Sequence, residues 1–160
     1  MNSIKYSDNK ILKLQNILKY RLELGGKDLN FESEVEKMQA YIKVKGANQI
    51  GPLIQHIVPY INSEGGIEVS IQLFLQCDRA IDNVSKPYTF DELIRVCGCM
   101  YCRYTGEQEN LKHAYEKINV EAFEKGERLT GESYTVYVSH DGQEGIITAD
   151  VFMTRKNAPR

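Results

Sequence analysis

The chain has 160 residues, with 20 Lys and Arg against 22 Asp and Glu and a net charge of −2. That length fits one domain that buries about two-thirds of its unfolded surface and needs no disulfide or metal to hold it. The near-balanced charge argues against a direct nucleic-acid binder, which would show a basic face, and no apolar run reaches the roughly 18 residues of a membrane span.

In chain order, the opening MNSIKYSDNK has neither an apolar core nor a cleavage site, so no signal peptide is expected and the setting is read as cytoplasmic. A strand is predicted over 17–24, and Gly25-Gly26 is read as its turn into a helix. Asn30 suits an N-cap, and Phe31, Val35, Met38 and Ile42 form one apolar stripe at helical spacing. Lys45 suits the last turn of that helix, and Gly46 the left-handed position beyond it. Strands follow over 52–61 and 67–76, joined by NSEGG at 62–66. The segment 78–90 reads as a linker, because Pro87 suits neither a helix nor a central strand. A strand over 93–104 then leads into a second helix after Asn110, whose stripe is Leu111, Tyr115, Ile118 and Ala122. Strands at 133–140 and 146–154 flank the turn HDGQEG, and RKNAPR closes the chain.

The two halves match each other at an offset of 80. Gly26, Asn30, Glu36, Lys37, Lys45, Gly46 and Gly51 recur as Gly106, Asn110, Glu116, Lys117, Lys125, Gly126 and Gly131. Composition alone would give roughly one or two identities over such a stretch. Convergent helix caps account for part of the match, but not for the outer glycines in the same register. The expected fold is therefore α+β: two tandem βαββ units related by a pseudo-twofold axis, forming an antiparallel sheet with both helices on one side and a central groove. The expected domain is single, with one repeat over about 11–77 and the second over about 91–155.

The last strand of each half separates into two faces. Ile147, Ala149, Val151 and Met153 share one face of the final strand, as Val69, Ile71, Leu73 and Leu75 do in the first half, and these should pack under the helices. The opposite faces carry Asp150 with Phe152, and Gln72 with Phe74, which mixes aromatic and hydrogen-bonding groups as ligand pockets do.

These stretches resemble a known family. MYCRYTG at 100–106, AYEKINVEAFEKG at 114–126, GESYTVYVSHDG at 131–142 and ITADVFMT at 147–154 are similar to the GyrI-like effector-binding domains, which also stand behind the DNA-binding domain of MerR-type multidrug-responsive regulators. GPLIQHI at 51–57 and the first closing strand resemble the same template. The resemblance implies a duplicated βαββ fold with a concave sheet. It also implies a cleft that binds amphipathic, often cationic or aromatic, small molecules; other members bind proteins or hydrolyse small molecules. In ligand-binding members an acid on the last strand meets the ligand's charge. Asp150 holds that position here, about one methylene shorter than the usual Glu. A helix-turn-helix is not seen before the first strand, so the chain as given is not expected to read DNA. Its start and GPLIQHI also resemble small Firmicute proteins encoded beside LXG-type toxins of type VII secretion, which would imply a protein-binding accessory role.

The candidate ligand-binding residues are Asp150, Phe152, Gln72, Phe74, Tyr101 and Tyr137, with a small molecule or a protein as partner, no cofactor and no membrane contact. Cys97, Cys99 and Cys102 make C-x-C-x-x-C, with Cys77 elsewhere. On a regular strand, however, the third thiol faces away from the first two, so buried thiols are expected rather than a metal site, unless Gly98 forms a bulge. His56, His113 and His140 lack metal-motif spacing, and no nucleophile motif or phosphate loop is present, so no catalytic residue is assigned. The acidic run ESEVE at 32–36 is accounted for by the helix dipole.

Overall fold

The computed structural model of the chain describes residues 2–22, 30–141 and 145–156. The elements run β1 (Ser3–Arg21), α1 (Phe31–Val44), β2 (Gln49–Ile61), β3 (Ile67–Cys77), β4 (Tyr88–Glu107), α2 (Lys112–Glu124), β5 (Leu129–Asp141) and β6 (Ile146–Arg155). The predicted order of strands and helices is present, and the protein is α+β with six antiparallel strands and two helices.

The helices start and stop as their ends dictate. The Asn30 side chain accepts a hydrogen bond from the Ser33 amide at 3.2 Å, so it caps α1. Asn110 does not repeat this role: its own side chain donates to Glu107, and α2 begins at Lys112, with Leu111 as its cap, behind a short 3-10 turn over Gln108–Asn110. Both helices end at a left-handed glycine, Gly46 at φ +81° and Gly126 at φ +67°. There the Ala47 and Glu127 amides reach back to the carbonyls of Ile42 and Ala122.

Two expectations are corrected at the strands. The predicted first strand, 17–24, begins far earlier, at Ser3, because the polar leader pairs along β4 from Ser3 opposite Thr105 to Tyr20 opposite Tyr88. The linker gives up 88–90 to β4 for the same reason. Gly25-Gly26, the end of the first predicted strand and the centre of the HDGQEG turn lie outside the described residues.

That long pairing changes the architecture. The strands run β1-β3-β2-β5-β6-β4 and close into a barrel, so the sheet is not an open concave surface. Every strand feeds the interior: β1 gives Leu12, Leu14 and Ile17, and the others give Ile54, Phe74, Cys99, Tyr134 and Phe152, all buried. The expected central groove is thus occupied by side chains. Two left-handed residues make this possible, Asn16 in β1 (φ +52°) and Gly98 in β4 (φ +69°). Inward side chains switch parity across them, from Leu12 and Leu14 to Ile17, and from Ile94 and Val96 to Cys99 and Tyr101.

The helices pack outside the barrel, each over its own half. Met38 and Ile42 of α1 meet Leu18, Leu73 and Leu75. Ala114, Ile118 and Ala122 of α2 meet Tyr104, Ile147, Ala149 and Val151. The face assignment holds for β6 and for the far end of β3: Leu73 and Leu75, with Ile71 against them, and Ile147 to Met153 lie under the helices, whereas Val69, expected there too, lies beyond the reach of α1 and is exposed. Phe74 is the largest fully buried side chain inside the barrel, so Phe74→Ala should lower unfolding free energy by about 3–5 kcal/mol, measurable by denaturant titration.

Candidate functional site

The two halves meet at two unequal seams. β1 and β4 pair over nearly their whole length, whereas β2 and β5 pair only from Ile54 opposite Val136 to Ile57 opposite Ser133. A half-open pocket of about 330 Å³ lies over the short seam, on the outer, helix-bearing face. Its floor is Leu73 and Ile147, both buried; Leu53, Gln55 and Tyr137 form its walls. Phe31, Gln108 and Ser139 stand at its rim. Phe31 is the first residue of α1 and Gln108 lies in the turn before α2, so the pocket is bounded where the two helices begin. Across its wall the Tyr137 hydroxyl donates to Gln55 Oε1 at 2.9 Å, tying β5 to β2. Burial pushes the Tyr137 phenol up to about 12, so it remains a neutral donor.

Of the six residues expected from sequence, Tyr137 lines this pocket. The other five lie on the inward-facing parity of their strands. Phe74 and Phe152 are barrel core, and Gln72 stands opposite His56. Asp150 and Tyr101 form a polar cluster on that face with Arg103. The Arg103 guanidinium grips Asp150 with two hydrogen bonds, Nε to Oδ1 at 2.8 Å and Nη2 to Oδ2 at 2.9 Å. The Tyr101 hydroxyl donates to the same carboxylate at 2.7 Å, and its ring packs on Phe152 at 4.9 Å. Asp150 is therefore held by partners of the chain itself, in bidentate ion-pair geometry.

A second inward cluster was not legible in the sequence. His56 Nε2 lies 2.7 Å from Glu132 Oε1, which also accepts from the Tyr134 hydroxyl at 2.9 Å. The imidazole stacks on Tyr134 at 4.2 Å, nearly parallel, and Phe74 packs against it. His56 and Glu132 are 76 residues apart, and no local spacing links them. The cysteines do not converge: Cys99 faces the barrel interior, while Cys77 and Cys102 lie in the separate cores under α1 and α2. Among the described residues no three His, Cys, Asp or Glu side chains come together in a metal-binding group. Gly98 does form the bulge considered above, but Cys102 still faces away from Cys99.

No family model and no curated protein matches the chain. Solved structures do. The cryo-EM structure of an EcmrR–DNA complex aligns with 98% of this chain at a TM-score of 0.63 and 12% identity, and the chain spans 57% of that protein's length. A hydrolase from Listeria innocua aligns with 97% of this chain, over 91% of its own, at a TM-score of 0.55 and 10% identity. SAV2435 bound to tetraphenylphosphonium is a looser match, at a TM-score of 0.46 and 9% identity over 98% of this chain and 94% of its own. At such identities the first two likenesses show a common fold and nothing finer. No helix among the described residues is long and apolar enough to cross a membrane.

Burial also raises Tyr101 to about 12, with Asp150 adding to the effect. For a phenol whose folded pKa lies above its ordinary value of 10, the unfolded chain ionises first as pH rises. The stability from these neutral phenols is complete below pH 10 and is lost between about pH 10 and 12. Tyr137→Phe and Tyr101→Phe should each flatten that alkaline decline, as followed by denaturant midpoints across the range.

Proposed function

We propose that the protein is a non-enzymatic binding protein of the GyrI-like effector-binding type, sensing or sequestering an amphipathic small molecule in the pocket over the β2–β5 seam. The observation that carries this is the pocket itself: concave, largely apolar, with a few polar groups among apolar walls, and of a volume at the lower end of small-molecule sites. The fold shared with EcmrR supports the family assignment. We read the two halves as copies of one unit. β2 (Gln49–Ile61) and β5 (Leu129–Asp141) start and end 80 residues apart. The left-handed glycines Gly46, Gly51 and Gly65 recur at the same offset as Gly126, Gly131 and Gly145. The four cysteines are unpaired, which suits a reducing, cytoplasmic setting.

A protein-binding accessory role is the second reading, and one observation favours it. At the tip of the β2–β3 hairpin, Ile61 and Ile67 face each other across the strands at 75% and 80% exposure, with Val69 also exposed on the same face. Exposed apolar groups in a continuous patch mark contact surfaces. A hydrolase, as in the Listeria neighbour, is a third possibility to which no residue here can be assigned as nucleophile.

A thermal-shift screen of small aromatic compounds tests the first reading. A compound at about 100 times its dissociation constant stabilises the fold by about 2.7 kcal/mol. Ser139→Trp, at the exposed rim, should leave the unliganded midpoint in place and abolish the shift. Equal shifts in the wild type and in Ser139→Trp would move the site elsewhere.

A further inference from the structure

Taking that pocket as the binding site, we infer that its ligand is uncharged and carries a hydrogen-bond acceptor on an aromatic or aliphatic body, and that Gln55 reads the acceptor. Among the described residues that line it, the polar groups are Gln55, Gln108, Tyr137 and Ser139, and none of the lining residues carries a charge at neutral pH. A buried cation without a carboxylate partner loses its hydration with nothing to replace it. The acid that the sequence offered for that task, Asp150, has the opposite parity to Ile147 on β6 and is already gripped by Arg103 and Tyr101.

The polar handle is fixed by one hydrogen bond. Tyr137 donates into Gln55 Oε1, which orients the amide and commits its oxygen. What remains is the Gln55 amide nitrogen, which has two N–H donors and no hydrogen-bond partner among the described residues. A ligand carbonyl, ether or amide oxygen satisfies it. An ammonium, which has donors alone, meets a donor. A single neutral hydrogen bond of this kind is worth roughly three- to tenfold in affinity.

Three probes with the same diphenyl body separate these chemistries: benzophenone (neutral, with an acceptor), diphenylmethane (neutral, without one) and the benzhydrylammonium ion. Titrated calorimetrically into the full chain at pH 7, benzophenone should bind roughly three- to tenfold more tightly than diphenylmethane, with benzhydrylammonium the weakest. Gln55→Leu made together with Tyr137→Phe, so that no phenol donor is freed in the pocket, should erase the benzophenone advantage while diphenylmethane still binds, which also shows that the variant is folded. Gln55→Glu should reverse the order by placing a carboxylate against the ammonium. Equal affinities, or benzhydrylammonium ahead on the wild type, would overturn the inference and leave the pocket standing. Binding by none of the three to the wild type would remove the pocket reading and the inference with it.

Discussion

The pairing of β1 with β4 is the constraint on which the rest of this molecule is built. It runs from Ser3 opposite Thr105 to Tyr20 opposite Tyr88 and converts what would be a curved sheet into a closed barrel. Closure leaves these strands no free edge against each other, and it commits their inward side chains to a common core. Two helices then have a single surface left to cover, the outside. Each does so over the strands of its own half, which is why the apolar residues divide into one central cluster and two flanking ones.

Closure also decides where chemistry can occur. Among the described residues the barrel interior is filled by Phe74, Tyr134, Phe152 and aliphatic neighbours. Several of its inward polar groups pair with one another, Asp150 with Arg103 and Tyr101, and His56 Nε2 with Glu132, while His56 Nδ1 is buried without a hydrogen-bond partner among the described residues. A pocket lies over the other seam, where β2 and β5 share only four residue pairs. The long seam provides the rigidity and the short seam provides the space.

Much of the fold was legible because it rests on local periodicity. The stripe at Met38 and Ile42, the alternation along Leu73 and Leu75, and that along Ile147 to Met153 each name a buried face without reference to the rest of the chain. The leader was not legible. Of residues 3–10 only Ile4 and Tyr6 are apolar or aromatic, too short an alternation to stand out, and their strand pairing comes from β4, about 100 residues away. The cap at Asn30 could be read because it is a local hydrogen bond; its counterpart Asn110 was misread because a 3-10 turn takes up Gln108–Asn110 and leaves Leu111 at the start of α2. The candidate site was legible only in part. Tyr137 was named, but its partner Gln55 sits 82 residues away, and so was missed. Asp150 was singled out as the acid to meet a ligand's charge, yet Arg103, which pairs with it instead, lies on another strand 47 residues away. Sequence pattern identifies which face a residue takes; it does not say whether that face looks into a barrel or out at a helix.

The two left-handed residues in the long strands carry a consequence for how such a chain can diverge. Asn16 and Gly98 act as phase marks: on either side of each, the odd-even frame of the strand is set separately. Gaining one residue immediately after Gly98, with the pairing before it kept, would turn Cys102 and Tyr104 from beneath α2 into the barrel, and Cys99 and Tyr101 out of it. These strands are therefore closed to insertions and deletions but open to replacement. A lineage built on this frame keeps its length while its letters drift, and its kinship stays visible in shape after it has faded from text.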